Sequence, residues 1–260
     1  MGGRVRVEKE GPLGWIVFDH PERRNAISVE MWDAIPEAVR AHAGDPDVRV
    51  VVLRGAGQEA FVSGADISEF ESARSGEASR DYDARNARAF AALASLEKPL
   101  LAMIHGFCVG GGCALAVNAD LRFAADDAVF AIPAARLGLG YALLGVQALV
   151  QVVGPSRAKE IFFTARRFSA QEALQMGLVN AVLPKADLEA HVRETACAIA
   201  ANAPLTLRAV KRAVAELARD PAARDHQAVA ELVRACFESE DYKEGVRAFL
   251  EKRRPRFRGR

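Results

Sequence analysis

No property of this chain is in large excess, and each shortage excludes a class of protein. Lys plus Arg number 35 and Asp plus Glu 34, leaving a formal net charge of +1. No field of one sign therefore points to nucleic acid or an acidic membrane as the partner. Cysteine is scarce: Cys108, Cys113, Cys197 and Cys236 are the four, none at metal-ligand spacing. They read as reduced thiols of a cytoplasmic protein. The five histidines (His20, His42, His105, His191, His226) are scattered and suggest no metal. No uncharged apolar run approaches the ~18 residues of a membrane span. The first residues, Met1 to Gly11, alternate charge with valine and lack the apolar run of a signal peptide. Arg6 stands where a myristoylation motif needs Ser or Thr. No Gly-Lys-Ser/Thr triplet occurs, so a P-loop is excluded.

What remains is a globular composition, half hydrophobic and 27% charged, which excludes wholesale disorder and disulfide-stapled scaffolds. Arg4–Lys9 and Trp15–Asp19 flank Gly11-Pro12 and predict a hairpin. Ser28 can cap a helix reaching about Ala43, ended by Gly44-Asp45-Pro46. The β-branched run Val48–Leu53 predicts a buried strand. The polar stretch Ser68–Arg80 reads as a loop, Ala84–Leu96 as a helix, Leu100–Ile104 as a strand, and Gly110–Ala119 as a helix opened by three glycines. Ser169-Ala170-Gln171-Glu172 is a capping-box pattern for a short helix stopping at Gly177, and Val179–Leu183 reads as a brief strand. From Asp187 the pattern is helical, broken at Pro204, Pro221 and about Ser239. Alternating βα units followed by a helical last third predict an α/β core with a helical extension. The arginine-rich tail Lys252–Arg260 is either a solvated end or a contact for an anionic ligand.

One glycine-rich segment invites a nucleotide reading. Gly55-Ala56-Gly57-Gln58-Glu59-Ala60 nominally matches a dinucleotide fingerprint, but the β-prone Phe61-Val62-Ser63 follows where a helix must open. Another reading concerns Ser63-Gly64-Ala65-Asp66 together with Val109-Gly110-Gly111-Gly112. Helix starts present unpaired N–H groups, and glycine lets a ligand approach them. Two such loops could aim two donors at one oxygen, an oxyanion hole, or could simply be small residues packing a helix on a strand.

Several motifs in order make the chain resemble the enoyl-CoA hydratase/isomerase (crotonase) superfamily over nearly its whole length. They are His20-Pro21-Glu22-Arg23-Arg24-Asn25-Ala26-Ile27, Phe61-Val62-Ser63-Gly64-Ala65-Asp66-Ile67, Ile104-His105-Gly106-Phe107-Cys108-Val109-Gly110-Gly111-Gly112-Cys113-Ala114-Leu115, and Phe163-Thr164 with Ala170 to Asn180. The resemblance implies a ββα spiral core over residues 1–195, a helical trimerisation region over 196–260, and a trimer or dimer of trimers. It implies that the N–H groups of Ala65 and Gly111 hold the thioester oxygen of an acyl-CoA. The coenzyme would lie across the segments of Arg24, Ala26, Ser63, Asp66, Ile67 and Gly110, with Phe249 and Lys252 reaching its adenine end and Arg23 and Arg24 meeting phosphates. No cofactor is implied beyond coenzyme A as part of the substrate.

The chain departs from the family where the hydratases carry two glutamates. Ala114 and Ala134 stand at those positions, and a methyl group moves no proton. The resemblance therefore implies an intact hole without the usual proton relay, and weak or missing hydration. Tyr141 resembles a tyrosine at the matching place in the family's methylmalonyl-CoA decarboxylases, although those have a histidine where Ala65 stands. Decarboxylation needs little acid/base machinery, since loss of CO₂ generates the enolate directly. Tyr141 could equally only pack the pocket. A non-catalytic acyl-CoA carrier is the reading from another class. Asp66 is expected to cap a helix start, Glu69 and Glu71 to be solvated, and His105 to be structural.

Overall fold

The computed structural model describes residues 2–66 and 78–260. β1 (Arg4–Glu10) and β2 (Leu13–Asp19) form the hairpin, antiparallel with Val7 opposite Ile16. β3 (Val50–Gly55), β5 (Leu100–Ile104), β7 (Leu121–Ala125) and β10 (Ala181–Leu183) extend it in parallel, in the order β1-β2-β3-β5-β7-β10. A second sheet has the order β4-β6-β8-β9. Its strands are β4 (Ala60–Val62), β6 (Phe107–Val109), β8 (Val129–Ala131) and β9 (Phe168–Ser169). α1 (Val29–Gly44) follows the hairpin. The chain then repeats one unit: β3, β4, α2 (Ala78–Ser95); β5, β6, α3 (Gly111–Val117); β7, β8, α4 (Leu143–Thr164). In each unit the first strand joins the large sheet and the second turns into the small one. This is the ββα spiral that the motifs implied.

Both faces of the large sheet are covered, so β3 and β5 read as continuous apolar runs and not as alternating ones. On one face Ile16, Phe18, Leu53 and Phe61 pack with Trp32 and Ile35 of α1. On the other, Trp15, Val50, Val52 and Leu101 pack under α6 (Lys185–Ala200) through Leu188, Val192 and Ala196. α1 buries Met31, Trp32, Ile35, Ala38, Val39 and His42, one helical stripe, and Ser28 Oγ accepts from Met31 N as its cap. Ser169 and Glu172 form the capping box of α5 (Ala170–Gln175). The chain ends in α7 (Pro204–Leu217), α8 (His226–Glu238) and α9 (Glu240–Leu250).

Four expectations need adjustment. The loop read over 68–80 falls mainly on residues outside those described, and its last three residues already belong to α2. Three-residue strands β4, β6 and β8 were illegible because so short a run carries no periodicity. α4 was missed because Gly154 (φ 76°, ψ 166°) and Pro155 interrupt it with a kink. The tail is not a free solvated end: Arg258 N and Gly259 N donate to the buried Asp241 carboxylate at 2.6 and 2.7 Å.

Two histidines are buried in this frame. His42 Nε2 lies 3.1 Å from the Trp15 carbonyl, and the His105 ring is 5% exposed as a residue. Burial pushes both imidazole pKa values below the ordinary 6.5, against the Trp15 carbonyl bond at His42 and the Asp127 charge at His105. The unfolded chain therefore takes up protons that the folded chain refuses. Stability contributed this way is present above pH 6.5 and lost as pH falls below it, at up to about 1.4 kcal/mol per pH unit for each ring. Urea midpoints should fall from pH 7.5 to 5.5, and His42→Gln should flatten that slope. A pH-independent midpoint would show that neither ring resists charging.

Candidate active site

Asn25 shapes the first wall of the site. It is 1% exposed, sits at φ 55° directly after Arg24 at φ 51°, and its amide nitrogen donates to the Ala56 and Ala60 carbonyls at 2.8 Å each. Its Oδ1 accepts from His20 N. Two left-handed residues cost energy that a fully satisfied, buried amide can offset. The result turns Arg24 outward: its Nε meets Glu59 Oε2 at 3.3 Å and its guanidinium covers Phe107, 5.0 Å from the ring centre. Arg167 lies over the same ring at 5.7 Å. A cleft of about 720 Å³ is lined here by Arg23, Arg24, Ser63, Val109, Arg136 and Arg167, among others. Arg136, Arg167 and Phe107 were missed in the sequence, where isolated arginines carry no spacing signal.

The two amides come together just beyond Ser63 and Val109 of the cleft lining in sequence. Ile27 and Ala65 form a parallel bridge, with Ile27 N donating to Gly64 O and Asp66 N to Ile27 O, which fixes Ala65 beside the end of β4. Gly110 opens α3 at φ 52°, ψ −109°, a conformation open to glycine, and its N–H donates to Ala131 O. Gly111 follows as the first helical residue. A Cβ on Gly111 would lie 3.8 Å from Ala65 N, so the two backbones are neighbours. Among the described residues neither the Ala65 nor the Gly111 N–H finds an acceptor. Trp32 stands behind them, 3.3 Å from that Cβ position, and donates through Nε1 to Tyr82 Oη at 3.0 Å.

Other expected residues are placed as follows. Ser63 lines the cleft, its hydroxyl donating to Arg23 O. Ala26 is buried beneath it. Asp66 is buried and its Oδ1 is 3.6 Å from Arg23 Nη1; the helix start it was expected to cap, with Ile67, Glu69 and Glu71, lies outside the described residues. Ala114 sits one helical turn beyond Gly111, partly buried. Ala134 is 5% exposed in a short 3-10 turn beside Pro133 of the cleft wall, and its carbonyl accepts from Leu137 N and Leu139 N. Tyr141 is 37% exposed and packs edge-on to Phe162 at 4.9 Å. Phe249 and Lys252 do not line this cleft within one chain; Phe249 borders a groove among α7, α8 and α9. Cys113 donates to the Cys108 carbonyl at 2.9 Å, and burial pushes the Cys108 thiol well above its ordinary range, so it is no nucleophile. Among the described residues no cluster suited to a metal ion is gathered. No described helix is long and apolar enough to cross a membrane.

Comparison with known proteins gives a consistent answer. The family model for enoyl-CoA hydratase/isomerase matches residues 8–260. A crotonyl-CoA hydratase of Syntrophomonas wolfei is 36% identical over 253 residues, covering 97% of each chain. A carnitinyl-CoA dehydratase of Salmonella typhi is 34% identical over the full length of both. Among solved structures, an enoyl-CoA hydratase/carnithine racemase from Magnetospirillum magneticum superposes with a TM-score of 0.94 at 35% identity, over 98% of this chain and 96% of that one. An enoyl-CoA hydratase from Bacillus anthracis gives 0.92 at 30% identity, over 99% and 100%.

Proposed function

The chain belongs to the enoyl-CoA hydratase/isomerase family, and from that premise we propose that it binds an acyl-CoA thioester and stabilises its enolate without the family's glutamate pair. The observation that carries this reading is the close approach of the Ala65 and Gly111 amides, neither of them engaged by a described residue, with alanine at both proton-relay positions. The thioester oxygen would accept both N–H groups. Each such donor contributes about 3–4 kcal/mol where charge develops on the oxygen. The coenzyme would run past Ala26, Ser63 and Gly110, with Arg23 and Arg24 available to phosphates. No further cofactor takes part.

A decarboxylase reading is supported by Tyr141, which is partly exposed just past Ala134. A carboxylated acyl group would lose CO₂, the bonding pair would pass to the α-carbon as an enolate on the hole, and a proton from solvent or Tyr141 would complete the product. Phe249 and Lys252 reach a coenzyme only from a neighbouring subunit in this scheme. Val214, Leu217, Phe237, Phe249 and Leu250 form an exposed apolar face on α7–α9 that suits a homotrimer or dimer of trimers. This divides the chain into a core, 1–195, and an assembly region, 196–260. Four free cysteines fit a cytoplasmic setting.

The test is incubation with a panel of acyl-CoA thioesters, malonyl-type ones included, read by mass spectrometry. The enzymatic reading expects CO₂ loss from a malonyl-type thioester, slowed about 10²-fold by Tyr141→Phe. Unchanged turnover in that variant removes Tyr141 from the chemistry. Tight binding with no product across the panel makes the protein a carrier.

A further inference from the structure

The start of α1 touches both halves of the oxyanion hole. On one side Ile27, just before the helix, bridges Ala65, and Ser28 caps the helix. On the other, Trp32 N donates to Ser28 O at 3.1 Å, and the Trp32 indole lies against Gly111. A Cβ on Gly111 would meet Trp32 Cζ2 at 3.3 Å and Cη2 at 3.6 Å, with Ala65 N next at 3.8 Å. One short stretch of chain, residues 27–32, therefore holds Ala65 through its main chain and Gly111 through a side chain.

A buried indole has one polar atom, a donor that ordinarily finds an acceptor. Trp32 is 1% exposed, and its Nε1 donates to Tyr82 Oη at 3.0 Å. Trp15 supplies a contrast within the same chain: it is 2% exposed, yet its Nε1 has no partner. The fold thus tolerates an unbonded indole, and the Trp32–Tyr82 bond is not a condition of burying one. What the bond adds is direction. Nε1 and Cζ2 are both bonded to Cε2, so fixing Nε1 fixes the ring edge that meets Gly111. Tyr82 is itself held: it is 3% exposed on α2, and α2 is tied to α1 at the next residue, Asp33, which pairs with Arg85 and with Arg88 at 3.4 Å. Phe90 of the same helix stands edge-on to Trp32, ring centres 5.5 Å apart. The exposed ion pairs contribute little energy; the buried hydrogen bond supplies the orientation.

We infer that Trp32, oriented by Tyr82, is a positioning residue for the Gly111 amide, so that the seat of α2 on α1 is transmitted to the oxyanion hole. The inference rests on the acyl-CoA reading and adds two residues that act through Gly111. An amide stabilises the developing charge only within about 2.7–3.1 Å of the oxygen, so a loosened indole should weaken polarisation of the carbonyl more than it weakens binding of the coenzyme.

The test is the carbonyl stretch of acetyl-CoA labelled with ¹³C at its carbonyl, bound to the full-length protein, beside coenzyme A affinity by calorimetry. The wild type should lower the stretch relative to water. Tyr82→Phe keeps the ring and leaves the Trp32 N–H as that of Trp15 already is, so the variant should fold. It should give back about half of the lowering, the share of one donor in two, with coenzyme A affinity within about twofold of the wild type. Trp32→Phe should give back at least as much, and Trp32→Phe/Tyr82→Phe no more than Trp32→Phe alone, because Tyr82 acts through the indole. His42→Gln, buried on the same stripe at the far end of α1, should lower the melting temperature and leave the stretch unmoved. Full lowering in a folded Tyr82→Phe protein, additive losses in the double variant, or an equal loss in His42→Gln would each overturn the inference while the acyl-CoA reading stands. A wild type that leaves the stretch at its value in water fails the acyl-CoA reading itself, and both fall.

Discussion

Offered crotonyl-CoA, the wild-type protein should leave it essentially unhydrated, and Ala114→Glu/Ala134→Glu should gain water addition. A hydratase must place one proton on the α-carbon and remove another from the attacking water, and each positioned group contributes about 10²–10⁴-fold. Two methyl groups contribute nothing to either transfer. Missing both should therefore cost more than any other departure in the chain, while leaving thioester binding intact. The two sites differ in how they will accept a carboxylate. Ala114 is partly buried on α3, one turn from Gly111. Ala134 is 5% exposed, with its carbonyl pinned by Leu137 N and Leu139 N, so its main chain will not yield. A carboxyl forced in there without a partner carries a desolvation cost, and Ala134→Glu alone should lower the melting temperature. The measurement is absorbance loss of the enoyl thioester at matched, folded protein concentration. Hydration by the wild type at ordinary hydratase rates, or a folded and thioester-binding double variant with no gain, would refute the missing-relay account.

How much of this could be read beforehand depended on where the information sits. The hairpin, α1 and β3 were legible because their burial patterns and caps are local: Ser28 and Met31, or the unbroken Val48–Leu53 run, need no distant partner. β4, β6 and β8 are defined by pairing with one another across the spiral, and three residues cannot announce that. The Ala65 and Gly111 pairing was suggested by two glycine loops some 45 residues apart in number, but only folding brings a Gly111 Cβ position within 3.8 Å of Ala65 N. Asn25 was quoted as part of a motif without its reason, which is three hydrogen bonds to two loops. Trp32 and Tyr82 behind the hole were invisible, because an aromatic at helical spacing looks like any core residue.

Gly112→Ala should damage stability and function together. A Cβ there would stand 2.2 Å from the Val62 carbonyl oxygen and 3.0 Å from Val62 Cβ. Val62 ends β4, which is paired to β6 through Cys108, so neither atom belongs to a flexible side-chain end. The first turn of α3 must then back away from β4. Overpacking of this kind costs about 1–3 kcal/mol. The same displacement carries Gly111 away from Ala65, which lies three residues beyond Val62 and is fixed by its bridge to Ile27. Oxyanion donors act only near 3 Å, and losing one costs about 10²–10³-fold in turnover. Gly145→Ala is the control: its Cβ would meet only the Tyr141 ring, at 3.6 Å, an ordinary contact. The distinguishing readout is the carbonyl stretch of a ¹³C-labelled thioester bound to each variant. The wild type and Gly145→Ala should lower its frequency, because two N–H groups polarise the bond. Gly112→Ala should return it toward the value in water while still binding coenzyme A. A polarised carbonyl in a folded Gly112→Ala protein would mean that the close seat of α3 on Val62 does not set the hole, and that the two amides are held by something other than that contact.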